Sequence, residues 1–168
     1  MGIIIKKMES ADEIRGKAYV HWKSWQEAYP GIVDQRYLDA LTLEKCEEIA
    51  FRWTENILVA KDGDRVIGFV GYGGSGDGEG ECAGEIYAIY VLSEYYGMGV
   101  GYRLMQAGLE RIREYPKIIV RVLKENSRAI RFYERCGFAA DGSEETLELG
   151  SPVAVIRMGK TNSIEKKI

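Results

Sequence analysis

Ile3 to Met8 is a short apolar-rich run that reads as a first strand, with Ser10 placed to cap a helix behind it. From Ala11 to Tyr29 the apolar positions Ile14, Ala18, Trp22, Trp25 and Tyr29 recur at three- and four-residue steps, the spacing of one helix face. Pro30-Gly31 ends that pattern. Two shorter helices are predicted at Asp34 to Ala40 and Leu43 to Trp53, the second capped by Thr42. The period then changes. Ile57 to Lys61 and Arg65 to Tyr72 are β-branched-rich runs joined by Asp62-Gly63-Asp64, a hairpin signal. Glu85 to Leu92 is apolar on both faces, as suits a central strand covered above and below.

Helical spacing returns after Gly97-Met98-Gly99-Val100-Gly101, with Val100, Leu104, Ala107, Gly108 and Ile112 on one face and Pro116 as the stop. Ile118 to Leu123 is the next strand. Asn126 is placed to cap a helix reaching Arg135, and Gly137 suits the left-handed position after it. Short strands near Phe138 to Ala140, Thr146 to Leu149 and Val153 to Met158 complete the chain. The order is β-α-α-α-β-β-β-α-β-α-β-β, which predicts one α/β domain built on a single mixed sheet. Its expected span is residues 1–160, with 161–168 as a frayed tail.

Composition narrows the function classes. The chain has 168 residues, 46% hydrophobic and 29% charged, with a net charge of −3, which fits one globular domain. No basic field is present for a nucleic-acid backbone, and no apolar run is long enough to span a bilayer. Cys46, Cys82 and Cys136 are odd in number and far apart, so neither a disulfide framework nor a metal site is expected. A reducing, cytoplasmic setting is the default reading. Exposed strand edges near the C-terminus admit a homodimer.

Glycine is over-represented, with 20 residues, and its placement matters more than its number. The literal GxGxxG string, Gly71 to Gly76, follows a strand but leads into Asp77, Gly78, Glu79, Gly80 and Glu81. A dinucleotide fingerprint needs a helix opening at its last glycine, because the pyrophosphate rests on that helix N-terminus. That requirement fails here, so the stretch reads as an acidic hairpin loop. Gly97, Gly99 and Gly101 do sit between a buried strand and a helix, where unpaired N–H groups meet the positive end of the helix dipole. On spacing alone, this turn suits either a phosphate cradle or a tight turn without ligand.

The block from Glu85 to Met105, EIYAIYVLSEYYGMGVGYRLM, resembles the cofactor motif of the GNAT superfamily of acyl-CoA-dependent N-acetyltransferases. The stretch from Asn126 to Phe138, NSRAIRFYERCGF, resembles that family's second motif. The resemblance implies a GNAT-like sheet with splayed central strands and acetyl-CoA as acyl donor. It implies that backbone amides of Tyr96, Gly97, Met98, Gly99, Val100 and Gly101 cradle the pyrophosphate. It further implies that the strand edge at Ile89, Tyr90 and Val91 pairs with the pantetheine arm, with the Val91 amide polarising the thioester carbonyl. Asn126 and Tyr133 fall where the family contacts the CoA arm. One departure stands out: the family usually has Gln or Arg where this chain has Tyr96, and Arg103 is a candidate to restore the charge.

Acetyl transfer to an amine needs a base for the ammonium and a proton donor for the departing thiolate. Glu85 is the candidate base, its alternative being a charged strand end in solvent. Tyr133 is the candidate acid, its alternative being a tyrosine that packs the helix on the sheet. His21, the single histidine, lies on the first helix, where the family commonly lines its acceptor pocket. Trp22, Trp25 and Tyr29 share helical spacing there and read first as core. Cys136 reads as a small buried residue, since no histidine is paired with it for an acyl-cysteine route. Acidic residues cluster at Asp77, Glu79, Glu81 and Glu85 and again at Asp141, Glu144, Glu145 and Glu148, a field that suits a small cationic amine or a peptide amine. The alternative function is an acyl-CoA-binding regulatory or degenerate domain without turnover.

Overall fold

The computed structural model describes residues 2–76 and 82–162. Its elements run β1 (Ile3–Lys7), α1 (Ala11–Ala28), α2 (Gln35–Ala40), α3 (Leu43–Arg52), β2 (Ile57–Asp62), β3 (Arg65–Gly74) and β4 (Ala83–Val91). The second half adds α4 (Val100–Arg111), β5 (Lys117–Leu123), α5 (Ser127–Arg135), β6 (Ala139–Glu148) and β7 (Pro152–Thr161). The predicted order holds, the three short C-terminal runs forming the two strands β6 and β7. Asp77, Glu79 and Glu81 of the expected acidic loop lie outside the described residues. So does 163–168 of the expected tail, while β7 continues to Thr161.

One difference concerns β6. Phe138 to Ala140 and Thr146 to Leu149 read as separate strands because Asp141-Gly-Ser-Glu-Glu145 carries no apolar alternation. The backbone nevertheless runs through as one exposed strand, with a register shift between Ala140 and Glu144 and a left-handed Gly142 at φ +86°. Pairing to β7 supplies hydrogen bonds that the side chains do not advertise.

The seven strands lie in the order β1-β2-β3-β4-β5-β7-β6. Only β4 and β5 pair in parallel, joined by α4 as a crossover. Adjacent residues of β3 show which helices cover which face. Phe69 lies under Lys17 of α1, whereas Val70 meets Gly108 of α4, so α1 and α4 sit on opposite faces. Leu104 and Met105 of α4 are fully buried between helix and sheet, each contributing about 1.5–3 kcal/mol by removing apolar area from water.

Two features of β4 prepare the site. Gly71 faces Ala88 and Tyr72 faces Ile86, so Tyr87 is an extra residue without a partner in β3. The ladder to β5 then stops after four pairs, the last being Ile86 with Val120. Beyond it β4 stays with β3 as far as Val91, and β5 stays with β7 as far as Leu123. The two central strands therefore splay apart, as the resemblance implied.

Buried charge on α1 makes stability sensitive to acid. Burial favours the neutral form of Glu13, but hydrogen bonds from Lys6, the Glu9 and Ser10 amides and Lys61 outweigh it and hold the carboxyl at about 2. Burial, with the Lys17 cation second, pushes His21 down to about 4. Both groups bind protons more readily in the unfolded chain, so both contribute stability that is lost as pH falls. The His21 contribution is complete above about 6.5 and is lost on the way to 4, on the order of 3 kcal/mol. That of Glu13 is lost in turn between about 4.5 and 2. Denaturation midpoints should fall between pH 7 and pH 4 in the native chain and hold nearly level in His21→Gln; equal slopes would remove His21 as the cause.

Candidate active site

The gap beyond Ile86 opens a cavity of about 750 Å³ that passes through the sheet, from the α4–α5 face to the α1 face. On its β4 wall the backbone direction can be worked out. Leu92 N–H donates to Ile67 O at 2.9 Å, toward β3. Antiparallel pairing alternates by residue, so Val91 and Ile89 turn their N–H and C=O groups the other way, into the gap. Of the strand residues singled out from sequence, Ile89, Tyr90 and Val91 all line the cavity.

At the α4 end, Gly97 and Gly99 both hold φ at +79°, a conformation glycine adopts without steric cost. Gly99 is the N-cap of α4 and brings no side chain to its first turn. The opening N–H groups of the helix thus have neither an i−4 carbonyl nor a capping oxygen. A Cβ added at either glycine meets nothing within 4 Å beyond its chain neighbours, so the space above the turn is open. Tyr96, Gly97, Gly99, Val100 and Gly101 line the cavity; Met98 is 60% exposed and lies outside the lining.

The charge that Tyr96 does not carry comes from elsewhere. Arg103 is exposed and outside the lining. Arg128 of α5 instead lays its guanidinium 3.6 Å from the Tyr96 ring centroid, a cation–π contact that holds the side chain beside the glycine turn. Arg131 and Arg135, three and then four residues further on, line the same cavity wall. Sequence reading missed this device because its partners are 32 positions apart. Asn126 caps α5 by accepting from Ala129 N–H at 3.2 Å, which leaves its Nδ2 donor without a partner among the described residues.

Two phenols, one partly buried and one buried, flank the gap in different states. The Tyr90 hydroxyl accepts from Trp25 Nε1–H at 3.1 Å and lies 3.2 Å from that of Tyr29. Tyr133 makes edge contacts with Phe132 and Phe138, and its hydroxyl has no hydrogen-bond partner among the described residues. Burial pushes the Tyr133 phenol well above its usual range, so it stays protonated. Burial also raises the Cys136 thiol, which lines the cavity in its protonated form.

Glu85 is 7% exposed and sits outside the lining. Both its oxygens accept from Arg121 Nη1 at 2.8 Å, and Arg121 Nε lies 3.3 Å from Glu145. Of the second acidic group, Asp141 pairs with Arg157 and Glu144 with Lys124, at 2.6 and 2.9 Å. Three of its four carboxylates are thus matched by cations. No carboxylate and no imidazole lines the cavity among the described residues. His21 stays outside it, its ring stacked 6.3 Å from that of Tyr90.

A mixed sheet split at its centre, with an uncapped helix N-terminus on one side of the split, is an acetyltransferase arrangement. The model of the acetyltransferase (GNAT) family matches residues 19–138. The chain is 30% identical over 130 residues to the uncharacterized N-acetyltransferase YuaI of Bacillus subtilis, covering 73% of each chain. It is 40% identical over 68 residues to the mycothiol acetyltransferase of Nocardiopsis dassonvillei, 39% of this chain and 21% of that one. Its fold matches the crystal structure of PaiA N-acetyltransferase from Thermoplasma acidophilum in complex with coenzyme A at a TM-score of 0.72. There the identity is 22%, covering 96% of this chain and 99% of that one. The chain belongs to the acetyltransferase (GNAT) family and is an acyltransferase. No helix among the described residues is long and apolar enough to cross a membrane.

Proposed function

We propose that this chain transfers an acetyl group from acetyl-CoA to a primary amine by direct attack in a ternary complex. The observation that carries this reading is the free edge of β4 at Ile89 and Val91, in one cavity with the uncapped start of α4. The residues present fit the donor. The turn from Tyr96 to Gly101 offers N–H groups to a pyrophosphate, and Arg128 adds a charge-assisted contact. Ile89 and Val91 bind the amide arm as a further strand would. The Val91 N–H is aimed where charge develops on the carbonyl oxygen. Asn126 Nδ2 holds the arm beside Tyr133, whose hydroxyl protonates the departing thiolate. Direct attack is favoured over an acyl-cysteine because Cys136 is kept protonated and has no base beside it.

Proton removal from the ammonium runs through water, since the described lining residues include no carboxylate or imidazole, with Glu85 as the acceptor at the end of that path. The same lack is the observation that favours the second reading, a domain that holds acyl-CoA without turnover. Thiol release from acetyl-CoA over a panel of amines decides between them, and calorimetric binding of coenzyme A tests what both share. Turnover with binding is expected; binding without turnover selects the second reading, and absence of binding at about 10⁻⁴ M removes both. Glu85→Gln is expected to shift the pH optimum of kcat/KM. An unaltered profile assigns the proton to solvent.

A further inference from the structure

Resting on the transferase reading above, we infer that the acceptor is a primary amine carried on an uncharged apolar or aromatic body, and not a polyamine. A donor arm laid along β4 from the α4–α5 side leaves the α1 side of the gap as the route for the amine. That end of the cavity closes on Trp25, Tyr29, Leu123, Leu149 and Val155, which belong to the second hydrophobic cluster of the fold or pack against it. At its mouth Leu147 is 43% exposed and Tyr87 53%, so apolar carbon faces the incoming group. Among the described lining residues on this side the one that is charged, Arg121, is matched by Glu85 and Glu145.

Such walls select the acceptor in two ways. Apolar surroundings favour the neutral amine, which is the nucleophilic form. A polycation would also bring further ammonium groups, and among the described lining residues no carboxylate is free to receive them, so each would be desolvated without compensation. An apolar body gains contact with the same walls. In sites of this kind one methylene is worth roughly 10–200-fold in kcat/KM. The chemistry is shared by a small arylalkylamine and by the first residue of a peptide with an apolar side chain.

The test uses the full chain with saturating acetyl-CoA and compares kcat/KM for 2-phenylethylamine, a neutral peptide beginning with leucine, and spermidine. The first two are expected to exceed spermidine by at least about tenfold. Whichever of them leads identifies the source. Leu147→Asp, at a half-exposed position, is expected to lower kcat/KM for the apolar acceptors by about tenfold and to leave coenzyme A affinity unchanged. Spermidine equal to or better than the apolar amines overturns the inference while leaving the transferase reading in place, as does an unaffected Leu147→Asp enzyme. Coenzyme A binding with no acceptor turned over overturns the transferase reading and this inference with it.

Discussion

Tyr133→Phe is expected to lower kcat about a hundredfold while changing coenzyme A affinity by less than about threefold. The reason lies in what the hydroxyl does and does not touch. It has no protein partner among the described residues, it faces the cavity, and burial keeps it protonated. Its ring carries the packing, through edge contacts with Phe132 and Phe138 at 5.6 and 6.0 Å, and phenylalanine preserves those. The substitution therefore removes a proton donor and little else. Tyr90 is not an equal candidate, because its hydroxyl is already engaged by Trp25 and Tyr29. Steady-state rates and calorimetry on the same preparation check the split. An unchanged kcat removes Tyr133 as the acid and leaves the thiolate to water.

Gly99→Trp is expected to abolish coenzyme A binding up to about 10⁻⁴ M while the chain stays folded. Gly99 holds φ at +79°, so any side chain there is strained, at a cost of about 1–2 kcal/mol. An added Cβ still meets no protein atom within 4 Å beyond its chain neighbours, so the space above the turn is open at its base. That space adjoins the cavity wall formed by Gly99, Val100 and Gly101 at the start of α4. Gly99→Ala separates the two effects, since it carries the strain with little coverage. Alanine should retain most affinity and tryptophan almost none. Full affinity in Gly99→Trp would refute the cradle.

Much of the fold is readable from residue order because the elements announce themselves locally. Ser10, Thr42 and Asn126 cap α1, α3 and α5 as their positions predict. The Asp62-Gly63-Asp64 turn joins β2 to β3. Glycines flank the helix start that defines the site. Features that depend on pairing across the chain stay hidden. The extra residue at Tyr87 exists only relative to β3. The Arg128–Tyr96 contact joins two motifs that each look complete alone. The acidic residues of β6 read as a field for a cation because their partners lie elsewhere in the sequence, Arg157 on the adjacent β7 and Arg121 and Lys124 on or just after β5, one strand further on. Sequence likewise gives no sign of the guanidinium that both oxygens of Glu85 meet.

The four-pair ladder between β4 and β5 has a meaning beyond the shape of the cleft. It makes the middle of the sheet a seam between two leaves, β1 to β4 and β5 to β7, each zipped internally along more of its length than the leaves are to each other. On the proposed function the donor arm supplies the missing stitches on the β4 side. Folding and saturation are then linked, because a ligand held only by the closed sheet stabilises it by RT ln(1 + [L]/Kd). The chain would resist heat and proteolysis more as the acetyl-CoA around it rises, by a fixed increment per tenfold once above Kd, and its seam would be the first part to open when the donor runs out.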